Sequence, residues 1–183
     1  MLPEQVIGRN LSIHTQKDGI PELTDVRVAL VSLEPRLVKG EPLHLRFRHQ
    51  FYQLFVGNWD FSCADLGVLH SGDHPKDTLF ALKTLVKELH QRNIFTIVVG
   101  GEQENTLGMF RGLSGMNTYV NLTSIDARFD FGEPGILVSD DSYMSNIITE
   151  KPNNLKQFTN LGYQSYYISP VSYTHLTLPT SNG

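Results

Sequence analysis

Apolar positions along this chain fall into two alternating patterns: unbroken β-branched runs, and stripes that recur every three or four residues. The first run, Val26 to Leu33, stops at Glu34-Pro35 and predicts a strand buried on both faces. Arg36 to Gln50 follows, basic and broken by Pro42, with His44, Arg46, Arg48 and His49 close together. Its charges keep no fixed spacing around glycines, so it reads as a solvated connection rather than an anion site. The next unit starts at Trp59 and passes through Asp65-Leu66-Gly67 to Asp73-His74-Pro75, where Pro75 suits the first turn of a helix. Leu79, Leu82, Leu85, Val86 and Leu89 then recur at helical spacing, predicting an amphipathic helix from Lys76 to Arg92.

A continuous apolar strand, Ile94 to Val99, closes at Gly100-Gly101. A helix from Glu104 to Leu113 leads through Ser114-Gly115 to a further strand, Tyr119 to Ile125. Strands joined by a helical crossover of this length are expected to be parallel neighbours with a right-handed connection. After a Gly/Pro loop at 132–135, Asp140 to Glu150 reads as helix and Phe158 to Ile168 as one or two short strands. The fold class is therefore α/β, a three-layer domain with a mostly parallel sheet, expected as one domain over residues 1–170.

Composition narrows the function classes. The chain has 183 residues, and 15 Lys+Arg against 19 Asp+Glu leave a net charge of −4, with no cationic excess to meet a phosphate backbone. Nucleic acid is not expected as a partner. The lone cysteine, Cys63, excludes an internal disulfide and suits a reducing compartment. There is no apolar run of membrane-spanning length, and Met1 to Asn10 contains no apolar targeting core, so a soluble, cytoplasmic protein without a membrane partner is expected. Val171 to Ser181 continues neither pattern and resembles one reading frame of a transposon-end adaptor used in preparing sequencing libraries. Residues 171–183 are read as a non-native tail, which makes the rest an N-terminal fragment of a longer chain.

Ligands of open α/β sheets bind beyond the carboxyl ends of the strands, so polar residues there are the first candidates. One strand ends in Gly100-Gly101-Glu102-Gln103-Glu104 and another in Asp126-Ala127-Arg128-Phe129-Asp130. In an extended segment Asp126, Arg128 and Asp130 would share a side, and paired carboxylates suit a hard cation such as Mn²⁺ or Mg²⁺. Equally, the two aspartates could pair with Arg128 or cap loop N–H groups. His70, Asp73 and His74 are close in sequence, but Gly72 and Pro75 break any helical ligand face, and a helix-starting loop is the better reading. Cys63 has no obvious base nearby and reads as a small core residue. Gly100-Gly101 lacks the spacing of a nucleotide-binding loop, and Tyr163, Tyr166 and Tyr167 read as sheet packing.

The order of Asp65-Leu66-Gly67, a helix, a strand with Gly-Gly-Glu-Gln, and a strand with Ser124-Ile125-Asp126-Ala127-Arg128-Phe129-Asp130 resembles the ureohydrolase family of arginase, agmatinase and formimidoylglutamase, over about Val26 to Ile168. That family carries Gly-Gly-Asp-His after one strand, Asp-Ala-His-x-Asp after the next, and a later Ser-x-Asp-x-Asp. The resemblance implies an incomplete arginase-like fold and two Mn²⁺ ions bridging a hydroxide that attacks an amidino or formimino carbon. It implies Asp126, Asp130 and Gln103 as metal ligands, a small amidino or formimino amino acid as substrate, and leaves a homo-oligomer open. The departures are specific. Gln103 stands at the family's first histidine and Arg128 at its second; Gln offers only a neutral oxygen, and a guanidinium has no lone pair to give. The third motif does not occur. Two readings follow: a hydrolase of a linear carbon–nitrogen bond with a degraded site holding one weak Mn²⁺, or a catalytically inactive ureohydrolase-like binding or assembly protein.

Overall fold

The computed structural model describes residues 4–35, 40–58, 62–115, 118–135 and 137–167. Trp59, Ile168 and the expected non-native tail lie outside the described residues. The chain divides into two compact units, Met1–Gly112 and Leu113–Gly183.

The first unit carries β1 (Ser12–Ile13), β2 (Val28–Leu33), α1 (Leu43–Phe51), β3 (Cys63–Leu69), α2 (Pro75–Gln91) and β4 (Phe95–Gly100), with α3 (Asn105–Ser114) running across the division. Its strands form one sheet in the order β1-β3-β2-β4, and every ladder is parallel. The apolar run of β2 is central, paired on both sides, and Ala29 to Leu33 are all buried. Helix α2 begins as its sequence demands. Pro75 takes the first turn, where its missing N–H costs nothing, and the Asp77 carboxylate accepts from the His74 N–H at 3.0 Å. Thr78, Leu79, Leu82, Val86 and Leu89 form its buried stripe. Leu89 joins Val26, Ala29, Val31, Ala64 and Ile94 in the core. Helix α3 approaches α2 closely: a Cβ on Gly108 would lie 3.0 Å from the Leu79 carbonyl oxygen, and one on Gly112 would lie 2.8 Å from that of Lys83.

Three expectations change here. The basic stretch is not a solvated connection, because 43–51 is helical and Arg48 turns inward. Its Nε and Nη2 donate to the two oxygens of Asp65 at 2.6 and 2.7 Å, and Nη2 also reaches the Gly67 carbonyl at 2.9 Å. The Tyr52 hydroxyl and the Gly67 N–H complete the shell at 2.6 and 2.8 Å. Burial pushes the Asp65 carboxyl up, but these donors outweigh it and hold it below the usual range, while burial and Asp65 raise the Tyr52 hydroxyl. Strand β4 is less enclosed than its continuous apolar run predicts: among the described residues it is paired with β2, and Phe95 is 69% exposed. The expected pairing of β4 with the following strand is not among the ladders of the described residues.

The second unit contains β5 (Val120–Ile125), α4 (Tyr143–Thr149) and β6 (Leu155–Leu161), with β5 and β6 parallel and Ile125 opposite Leu161. Tyr143, Met144 and Ile147 form the buried side of α4. β6 begins before Phe158 and ends at Leu161; Gly162 at φ 88° turns the chain into a short 3-10 turn at Ser165–Tyr167. The class is thus α/β with parallel ladders, as the alternation of runs and stripes predicts.

Replacing Arg48 with Met leaves a carboxylate buried without its cation. Urea unfolding at neutral pH is expected to show a loss of about 3–5 kcal/mol relative to the parent.

Candidate functional site

Within the second unit the carboxyl ends of β5 and β6 are stitched together. The Asp126 N–H donates to the Leu161 carbonyl at 3.1 Å and the Gln164 N–H to the Ala127 carbonyl at 2.9 Å. The Asn160 side-chain amide donates to the Arg128 carbonyl at 2.7 Å. The chain does not stay extended after Ile125, as an alternating triad would require. It bends at Ala127-Arg128, where the Arg128 N–H donates to Asp126 Oδ1 at 2.9 Å, and Asp130 adopts φ 52°. An aspartate tolerates that left-handed conformation better than most residues. The bend separates the three side chains: Asp130 turns inward and is buried, while Arg128 turns outward with 56% of its side chain exposed.

Asp130 is the electrostatically loaded group. Burial, then the charges of Asp126 and Asp141, push its carboxyl up to about 6, against the opposing pull of Arg128 and a hydrogen bond with Tyr143. Its Oδ2 is buried without a hydrogen-bond partner. The Tyr143 hydroxyl, raised to about 12 by burial and by Asp130, accepts from Ser124 and donates to Asp130. Arg128 pairs through Nη1 with Asp141 Oδ1 at 3.2 Å and lies 5.9 Å from the centroid of the Tyr167 ring. Tyr163 packs on Phe129, the two centroids 5.1 Å apart, so the tyrosines are not all sheet packing: Tyr167 attends the guanidinium, and Tyr166 is almost wholly exposed. Tyr143 and Asp141 escape sequence reading because neither belongs to a strand-end motif; the helical stripe of Tyr143, Met144 and Ile147 is the available signal for the first.

Gln103 belongs to the first unit, in the turn between β4 and α3, where its carbonyl accepts from the Thr106 N–H at 3.0 Å. Glu34, Ser71, Asp73, Glu102, Glu104 and Asn105 line a cavity of about 390 Å³ in this unit, and the charged side chains among its described lining residues are all acidic. His70 pairs with Glu34 at 2.9 Å, and His74 caps α2, in keeping with a helix-starting loop. Cys63 is buried, and its thiol is pushed up to about 11 by burial and Asp65, which suits an inert core residue.

Among the described residues no three His, Cys, Asp or Glu side chains come together as a metal-ligand group. Arg128 occupies the middle of the Asp126–Asp130 segment and has no lone pair to donate. These residues do not fit two ions, although one Asp130 oxygen, Oδ2, is buried without a hydrogen-bond partner among the described residues.

The model of the Arginase family matches residues 32–176. The chain belongs to the arginase family. That match runs past Pro170, into the segment that resembles an adaptor. No curated protein sequence matches the chain. Among solved arginase-family structures, Trypanosoma cruzi formiminoglutamase with Mn²⁺ aligns at 15% identity and TM-score 0.72, covering 85% of this chain and 58% of that one. A hypothetical agmatinase from Burkholderia thailandensis aligns at 14% identity and TM-score 0.65, covering 94% and 60%. The agmatine ureohydrolase of Thermoplasma volcanium aligns at 15% and 0.61, covering 86% and 55%. At these identities the likeness is one of fold, and the chain spans somewhat over half the length of these arginase-family structures. Among the described residues no helix is long and apolar enough to cross a membrane.

Asp130 binds its proton more tightly in the fold than in the unfolded chain, so the stability it contributes is full below about pH 4 and is lost as pH rises through about 6. In the presence of a chelator, urea unfolding of the parent minus that of Asp130→Asn is expected to decline across this window, by on the order of 3 kcal/mol. A difference that is flat between pH 4 and pH 7 contradicts the burial-driven shift.

Proposed function

We propose that this arginase-family chain binds a small amidino or formimino amino acid without hydrolysing it. The observation that carries this reading is Arg128, standing within the Asp126–Asp130 strand end and held outward by Asp141 rather than replaced by a ligating side chain. Hydrolysis in the family, as the sequence resemblance implies, depends on a metal-activated hydroxide. Here the residues that would supply two ligand positions are a neutral amide, Gln103, and a cation, Arg128. Within the second unit Asp126 and Asp130 are left as ligands for one weakly held Mn²⁺ at most.

What remains is suited to recognition. Asp126 and Asp141 are carboxylates at a strand end, Asp130 is poised between its charged and neutral forms near pH 6, and Tyr143 holds it in place. The relatives named formiminoglutamase and agmatinase support this ligand class. A residual hydrolase is the competing reading, supported by the unchanged Asp126 and Asp130.

Assay of the full-length protein with Mn²⁺ against arginine, agmatine and formiminoglutamate distinguishes them. Turnover is expected to be no higher than that of an Asp126→Asn, Asp130→Asn double variant, while calorimetry with the same compounds shows binding. Turnover well above that control establishes the hydrolase. In the same calorimetry, Arg128→His is expected to raise Mn²⁺ affinity by returning a nitrogen ligand at the position the resemblance gives to the family's second histidine; unchanged affinity contradicts the assignment of Asp126 and Asp130 as ligands.

A further inference from the structure

We infer that Arg128 is a carboxylate-binding residue, and that the ligand of this strand end is a zwitterion whose carboxylate docks on Arg128. This rests on the reading that the chain binds an amidino or formimino amino acid, and it divides that class: compounds that keep the amino-acid carboxylate are bound, and decarboxylated amines such as agmatine are disfavoured.

Arg128 is fixed before any ligand arrives. Its backbone N–H is tied to Asp126 Oδ1 and its carbonyl to the Asn160 amide. Its guanidinium is held at Nη1 by Asp141 and lies 5.9 Å from the centroid of the Tyr167 ring. A guanidinium restrained at one nitrogen and across one face has little rotamer freedom left to lose on binding. The Nε and Nη2 groups make no hydrogen bond among the described residues, and the side chain is 56% exposed. Those two nitrogens form the edge of the fork whose two parallel N–H vectors match a carboxylate. The group also sits just past the carboxyl end of β5, where α/β sheets take their ligands.

The surrounding charge decides what else the ligand must carry. Asp126, tied to the Arg128 N–H, and Asp141, paired with its guanidinium, put two carboxylates beside the one guanidinium. A simple carboxylate approaching Arg128 meets that excess negative charge, and its attraction is largely cancelled. A molecule that also bears an amidinium or formimidoyl cation brings its own compensation, with the cation facing the aspartates and the carboxylate facing Nε and Nη2. A cation without a carboxylate leaves the open edge of Arg128 unused and sets two positive charges side by side.

The test is calorimetric titration of the full-length protein with arginine, formiminoglutamate and agmatine. At least one of the two carboxylate-bearing compounds is expected to bind about tenfold or more tightly than agmatine. Arg128→Gln is expected to erase that preference by weakening the carboxylate-bearing compound about tenfold, while agmatine, relieved of a neighbouring positive charge, binds no more weakly than to the parent. Arg128→Lys, which keeps the charge without the fork, is expected to retain part of it. An undiminished preference in Arg128→Gln, or an equal loss for all three compounds, overturns the role given to Arg128 while leaving the binding reading intact. Failure of all three compounds to bind the parent removes the binding reading itself and this inference with it.

Discussion

A carboxylate with 1% exposure cannot remain charged inside a sheet unless donors surround it, and the first unit is organised around meeting that demand at Asp65. The two oxygens receive four hydrogen bonds, from Arg48, Tyr52 and the Gly67 amide. Two of the three donor residues come from the helix α1 and its C-cap, so the placement of α1 on the sheet is specified by where its donors must reach. Arg48 also takes the Gly67 carbonyl, at a position where the chain adopts φ 84°. An apolar contact would hold α1 against β3 with less directional demand. The bidentate fork adds direction, since only one rotation of the helix presents both nitrogens.

The second unit handles buried charge differently. Asp130 is nearly as enclosed as Asp65, but among the described residues it forms no ion pair and its Oδ2 has no hydrogen-bond partner. The consequence runs in the opposite direction: the carboxyl of Asp65 is held low and that of Asp130 is pushed up. One residue is part of the architecture. The other keeps an unmet demand at a strand end, which is the kind of place where proteins retain groups for chemistry or recognition.

Much of this was readable from periodicity. The β-branched run at β2 and the Leu/Val stripe of α2 both declare themselves, because their partners lie on elements whose own pattern is equally plain. Pro75 marks the start of α2 for a local reason, its fixed φ. What stayed hidden depends on partners distant in the chain. Arg48 looks solvated until Asp65, 17 residues away, is placed beside it. Apolar content at β4 could not distinguish a central strand from one paired on a single side. At the site, Asp126 and Asp130 could be named from their motif, but the bend at Ala127-Arg128 that sends one side chain inward and the next outward could not. A hydrogen bond from Arg128 N–H to Asp126 and a left-handed aspartate decide that geometry, and neither leaves a periodic trace.

Gly108 and Gly112 lie one helical turn apart on α3, each against a backbone carbonyl of α2. Their spacing lets α3 lie directly on the α2 backbone, with the Leu82 and Val86 side chains also within 3.4 Å of where a Cβ would sit. That approach leaves no room for a methyl group at either position, and α3 follows directly from the turn carrying Glu102, Gln103 and Glu104. An added methyl would not simply loosen packing. It would force α3 off α2, so the seat of that acidic turn depends on two glycines outside it.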